Sequence, residues 1–141
     1  MKIDIICISK LKEEYLRAAQ QEYLKRLGPY ARLSVIEVTD EKAMEKAIST
    51  RGAFAIALAI DGVALTSEGF AKKLQNMGID GISHVAFIIG GAEGLSRHIL
   101  GLCRAKLSLS AMTMTHQMAR IILLEQIYRS FRIINNEPYH K

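Results

Sequence analysis

IIGGAEGLS at 88–96, LSLSAMTMTHQMAR at 107–120 and LLEQIYRSFRIINNEPYHK at 123–141 decide how this chain is read. In the first stretch an apolar run of strand type enters a glycine-rich turn. In the second, another strand-like run enters a Ser/Thr/His loop. The third is a long apolar helix followed by a short polar tail, Pro138-Tyr139-His140-Lys141. Open α/β sheets bind ligands at the loops beyond the carboxyl ends of their strands. Two such loops in succession therefore mark a candidate site, and a titratable tail just past a buried helix can be laid back across it.

Outward from this region the same alternation continues. Strand-like runs fall at about 2–8, 33–38, 54–60, 84–89 and 106–110, with helical patterns between them. Residues 11–27 place Leu11, Tyr15, Leu16, Ala19, Tyr23, Leu24 and Leu27 on one face, and Gly28-Pro29 ends that helix. Further helices are expected at 41–50, from the capping pair Thr66-Ser67 to Gly78, from Ser96 to about Arg104, and over 116–134. The pattern predicts an α/β fold, a mostly parallel sheet with helices on both faces. At 141 residues the chain is expected to form one domain, 1–141. The last helix is apolar on more than one face, from Met118 through Ile134. A helix on a sheet needs only one such stripe. The surplus suggests a homodimer, with a central helix in one core as the alternative.

The net charge of +5 lies entirely in residues 97–141, which carry 7 Lys/Arg against 2 Asp/Glu. A basic surface beside a candidate site suits a polyanion such as nucleic acid, and an ordinary solvated surface equally. Cys7 and Cys103 lack metal-like spacing and read as inert, buried thiols. No segment has the ~20 largely apolar residues of a membrane span. Asp4 interrupts any secretory pattern at the start, and a cytoplasmic location is expected.

Gly90-Gly91-Ala92-Glu93-Gly94 is neither GxGxxG nor GxxxxGK[ST], and alone it is as well explained by a plain strand-to-helix turn. Ser108, Ser110, Thr113, Thr115 and His116 could bind a nucleoside, or Thr115 could simply cap the last helix. A serine triad is not supported, since no GxSxG elbow is present. Arg129 and Arg132 lie on neighbouring positions of the helix surface and could bind phosphates or solvate its polar edge. Tyr139 and His140 offer a stacking ring and a base, although composition alone reads the tail as disordered.

Taken in order, these segments resemble the RlmH family of SPOUT-class RNA methyltransferases, together with KLKEEYLRAAQQEYLKRLGPYARLSVIEV at 10–38 and IALAIDG at 56–62. The resemblance implies a C-terminal trefoil knot, a homodimer, and methyl transfer from S-adenosyl-L-methionine to N3 of a pseudouridine in 23S rRNA of the assembled ribosome, with no metal. By position, Leu58 matches a cofactor-contacting leucine and Gly91 a glycine that lets the cofactor approach. Leu109, Ser110, Ala111, Met112, Thr113 and Met114 match the loop that wraps the cofactor. His116, Arg129, Tyr139 and His140 match residues linked to RNA binding or catalysis. His140 is the expected base and His116 the second candidate. Tyr139 would orient the nucleobase and Arg129 stabilise negative charge, on a tail that orders only on RNA. Two departures stand out: the stretch at 40–52 is about a dozen residues short, and Thr115 replaces a common proline. A ribosome-binding factor without chemistry is the non-enzyme alternative, and a nicotinamide oxidoreductase lacks its glycine fingerprint.

Overall fold

The computed structural model describes residues 1–141 as an alternation of strands and helices. The order is β1 (Lys2–Ile8), α1 (Glu14–Leu27), β2 (Arg32–Val38), α2 (Glu41–Arg51), β3 (Phe54–Ala64), α3 (Ser67–Ile79), β4 (His84–Ile89), α4 (Arg97–Leu102), β5 (Ala105–Ser108) and α5 (His116–Ile134). The strands form one sheet in the order β2-β1-β4-β3-β5. Every pairing is parallel, with Ile5 of β1 opposite both Val35 and Phe87.

Successive strand residues point to opposite faces. Ile3, Ile5, Cys7, Val85, Phe87 and Ile89 face one layer, where Leu27 of α1, Phe70, Leu74 and Met77 of α3, and Leu123, Leu124 and Ile127 of α5 pack. Ile6, Ala55, Ala86 and Ile88 face the other, against Met44 of α2 and Ile99 of α4. Each fully buried large side chain contributes roughly 1.5–3 kcal/mol. The predicted helices on both faces are present.

The helix ends follow local chemistry. The side chains of Asp40, Thr66, Ser96 and Thr115 each accept a backbone N–H of the first turn. Gly52, at φ 66°, closes α2. The 40–52 stretch is thus an 11-residue helix capped at both ends.

Four expectations need correction. First, α1 begins at Glu14 rather than Leu11, and Tyr15 is exposed. Gln117 ties the preceding segment to α5 instead, accepting from Lys12 N at 3.0 Å and donating to the Lys10 carbonyl at 3.2 Å. Second, β3 continues past residue 60 to Ala64, because its register against β5 shifts: Leu58 and Val63 both pair with Leu107. Gly62 passes so close to β5 that a Cβ there would lie 2.8 Å from the Leu107 backbone. Third, β5 stops at Ser108. The Ser108 hydroxyl donates to the Ser110 carbonyl at 3.1 Å and turns the chain out of the sheet.

Fourth, the surplus apolar face of α5 is covered within the chain. Ile121, Leu123, Leu124, Ile127 and Tyr128 are all buried among α1, α3 and the sheet. Met118 is the large apolar side chain of α5 left exposed. The helix also buries Arg120, whose Nη1 donates to Glu37 Oε2 at 2.6 Å and whose Nη2 donates to the Ser9 carbonyl at 2.9 Å.

Cys7 is buried, and burial pushes its thiol up to about 11. Cys103 is only half-buried, rather than buried as expected, and burial raises its thiol as well. No helix is long and apolar enough to cross a membrane. Nowhere do three or more His, Cys, Asp or Glu side chains gather as a metal site would need.

Candidate active site

A cavity of about 820 Å³ opens at the carboxyl ends of β3, β4 and β5. Leu58 to Asp61 of β3 form one wall. Ile89 to Leu95, the end of β4 and the glycine turn, form the second. Leu107 to Ser110 and Met112 to His116 form the third. Of the residues predicted to hold a cofactor, Leu58, Gly91, Leu109, Ser110, Met112, Thr113 and Met114 line this cavity. Ala111 does not. Leu58 lies within β3, at the point where the β3–β5 register breaks.

The glycines of the turn have different jobs. Gly94 N donates to the Gly91 carbonyl at 3.0 Å, and Gly94 sits at φ 77°, where a side chain would be strained. A Cβ on Gly90 would fall 2.6 Å from the Gly94 carbonyl. Gly90 and Gly94 are therefore required by the turn itself. A Cβ on Gly91 would meet only Ile8 Cγ2, at an ordinary 3.6 Å. The fold does not require a glycine at 91, although it lines the cavity.

The third wall is built by hydroxyls. Ser110 Oγ accepts from Met112 N at 3.0 Å, and Thr115 Oγ1 accepts from Met118 N at 3.2 Å. Thr115 thus caps α5 where proline would only preset the backbone angle. His116 is the first residue of α5. Burial, with Arg120 and Lys12 nearby, holds its imidazole below the ordinary histidine value, which favours the neutral ring. The cavity lining contains no Lys or Arg, and two carboxylates, Asp61 and Glu93, belong to it. Asp61 is itself bonded to Lys106 at 3.3 Å.

The other predicted residues form a separate cluster at the far end of α5. The tail is not disordered but folds back on the helix. Tyr139 OH donates to Glu125 Oε2 at 2.9 Å, and its ring meets the edge of Tyr128 at 4.8 Å. Burial and the Glu125 carboxylate push the Tyr139 phenol well above its ordinary value. Arg129 lies over the Tyr139 ring at 4.8 Å, pairs with Glu125 at 3.0 Å, and donates from Nη1 to His140 Nδ1 at 3.0 Å. His140 Nε2 in turn contacts Glu68 at the start of α3, and this bond holds the Glu68 carboxyl below its usual value. Arg132 and Tyr30 hold Glu137, and Arg132 Nη2 donates to the Pro138 carbonyl at 3.0 Å.

The structure thus joins Arg129, Tyr139 and His140 and leaves His116 apart. None of the three lines the cavity. At ~1.5 Å per residue, Arg129 is about 20 Å further along α5 than His116. Glu68 and Glu125, which organise this cluster, escaped the sequence reading. A glutamate in the first turn of a helix or one turn before an arginine has an ordinary explanation in each case.

The family model described as a predicted SPOUT methyltransferase matches residues 1–140. Ribosomal RNA large subunit methyltransferase H of Bifidobacterium animalis subsp. lactis is 47% identical over 159 aligned positions, covering 100% of both chains. Eighteen of those positions (159 − 141) have no residue in this chain. Among solved structures, a probable methylase family protein from Haemophilus influenzae Rd KW20 superposes with a TM-score of 0.62 at 15% identity, over 99% of this chain and 70% of that one. The SpoU methyltransferase AviRb from Streptomyces viridochromogenes, solved in complex with the cofactor AdoMet, superposes at 0.54 and 15% identity, over 92% and 57%. The family match and the full-length identity agree with the order of motifs and with the parallel sheet. This chain is an enzyme and belongs to the RlmH family of SPOUT methyltransferases.

Proposed function

We propose that this enzyme, acting as a homodimer in the cytoplasm, methylates N3 of a pseudouridine in 23S rRNA of the assembled ribosome, with S-adenosyl-L-methionine as methyl donor. The observation that carries this reading is the cavity at the ends of β3, β4 and β5. Its volume is in the range of small-ligand sites, roughly 300–1,000 Å³. Its walls are apolar side chains, turn backbone and hydroxyls, with two carboxylates and no Lys or Arg. That lining suits a sulfonium with a neutral adenosine and disfavours a dinucleotide pyrophosphate. Gly91 and the 109–114 loop would hold the cofactor, with Leu58 beneath. The trefoil knot implied by the resemblance would be tied in the same region, where β5 passes the β3 extension at Gly62.

S-adenosyl-L-methionine supplies a methyl group that is already electrophilic, so the chemistry calls for no metal. The chain must position the nucleobase and remove its weakly acidic N3 proton. His140 is the proposed base, Tyr139 the stacking and orienting group, and Arg129 the group that stabilises charge on the ring carbonyls or grips a phosphate. His116, at the cavity itself, is the second candidate for the base. Neither His140 nor Tyr139 belongs to the cavity lining of its own chain. The tail of one subunit is therefore proposed to complete the cavity of the other. Exposed Ile60, Val63 and Leu65 on and just beyond the β3 extension, with Met112 and Met118 beside the cavity, offer the apolar surface for that association.

Calorimetric titration with S-adenosyl-L-methionine and with a nicotinamide dinucleotide tests the pocket. Saturable binding of the first alone is the expected result. Binding of the dinucleotide alone would replace the assignment.

A further inference from the structure

His140 is held from both sides by groups whose hydrogen-bonding roles are not interchangeable. An arginine guanidinium has donors and no acceptor. In the contact between Arg129 Nη1 and His140 Nδ1, at 3.0 Å, the imidazole nitrogen must therefore be the acceptor. The ring proton is then on Nε2, which faces Glu68. A carboxylate accepts that proton's hydrogen bond. The two contacts agree on one tautomer, and neither nitrogen keeps a free lone pair.

Glu68 has no other side-chain partner of comparable weight. It is a largely exposed residue in the first turn of α3, brought to the tail across 72 residues of sequence. Its bond to His140 is the largest cause of its lowered carboxyl value. The other charged groups around His140 are Arg129 and Glu125 on α5, the latter taken up by Arg129 and Tyr139, and Lys141 beside it in the chain.

We propose that Glu68 is a positioning residue for His140, fixing the tautomer that makes Nδ1 the basic atom, and that Arg129 masks Nδ1 until RNA draws the guanidinium away. This rests on the methyltransferase reading above. In the unmasked state the N3–H bond of the nucleobase breaks and its proton passes to Nδ1. The electron pair stays on N3 and would bond to the methyl carbon as the carbon–sulfur bond of the donor breaks, its pair passing to sulfur to leave the neutral thioether. The resulting imidazolium keeps its Nε2–H on the Glu68 carboxylate, the orienting arrangement of a carboxylate–histidine pair. Arg129, released from Nδ1, is free for a phosphate or a ring carbonyl. The same group that gates the base would then report that RNA has arrived.

The test compares Glu68→Ala and Glu68→Gln with wild type. Ring ¹⁵N shifts of His140 are read in the free protein, and kcat and KM are read on ribosomes lacking the modification. The expected wild-type spectrum is that of the Nε2–H tautomer. Glu68→Gln retains an acceptor, so the tautomer stays and kcat falls less than about tenfold. Glu68→Ala yields a tautomer mixture and a kcat lower by about 10- to 100-fold, with KM within about twofold. A wild-type Nδ1–H tautomer, or equal kcat in all three proteins, overturns the proposal. Loss of Tm with unchanged tautomer and kcat would assign Glu68 to helix capping alone and also overturn it. The spectra need neither cofactor nor RNA. If wild type transfers no methyl group, the proposed function falls, and the tautomer result alone decides whether Glu68 sets the state of His140.

Discussion

Gly91→Ala separates the needs of the fold from those of the cofactor. The new Cβ would sit 3.6 Å from Ile8 Cγ2, an ordinary contact, and no positive φ forces glycine at this position. Replacing glycine where alanine fits lowers the entropy of the unfolded chain and stabilises by about 0.4–1 kcal/mol. The variant should therefore melt at the wild-type temperature or slightly above it. Binding should respond in the opposite direction. If the turn backbone lies in van der Waals contact with the cofactor, an added methyl overpacks that contact at a cost of about 1–3 kcal/mol. The dissociation constant for S-adenosyl-L-methionine then rises about 5- to 150-fold. Gly90→Ala is the control with the reverse signature. Its Cβ would fall 2.6 Å from the Gly94 carbonyl, so the turn must shift and the melting temperature must drop. Calorimetry and thermal denaturation on the same preparations read both effects. Wild-type affinity in a stable Gly91→Ala protein would refute the placement of the cofactor against this turn.

Two further outcomes follow from the same geometry. Mixing Gly91→Val subunits with His140→Ala subunits should restore about a quarter of wild-type activity, since half of randomly formed dimers are mixed and each carries one complete site of two; no recovery would show that each subunit's tail serves its own cavity. Asp4 is fully buried in β1 and bonded to Arg51 at 2.7 Å and His84 at 2.6 Å. Burial alone would raise its carboxyl, but these two partners together hold it below the ordinary value. Asp4→Asn should destabilise by about 3 kcal/mol at pH 7, the low end for a broken buried pair because Arg51 can turn to solvent. A depressed carboxyl contributes fully above its unfolded value of about 3.9 and is lost as pH falls through the folded value. The gap between wild type and variant in denaturant melts should thus close below about pH 4, and a gap constant with pH would refute the ion-pair account.

The fold was legible where local chemistry and periodicity coincide. Apolar runs of strand length locate β1 and β4, and Thr66, Ser96 and Thr115 announce their helices because a capping hydroxyl acts within three residues. The cavity was legible because the ends of consecutive parallel strands must converge on one edge of the sheet. What the sequence hid depends on partners distant along the chain. Nothing near Asp4 reveals that Arg51 and His84 converge on it, and a charge inside an apolar strand reads as an interruption. The α5 surplus looked like a dimer face because its cover, α1 and α3, comes from elsewhere in the chain. The tail read as disordered because its anchors, Tyr30, Glu68 and Glu125, are scattered through three helices or their flanks. The β3 extension stayed hidden because its register shift depends on the approach of Gly62 to Leu107, a contact without local signature.

The most direct measurement is methyl transfer from labelled S-adenosyl-L-methionine to ribosomes lacking the modification, with the modified nucleotide mapped by mass spectrometry. Wild type is expected to place one methyl group on N3 of a single pseudouridine of 23S rRNA. His140→Ala should bind the cofactor normally and transfer at least about 10²-fold more slowly. Label on a ribose hydroxyl or another RNA, or cofactor binding without transfer to any ribosomal particle, would contradict the account.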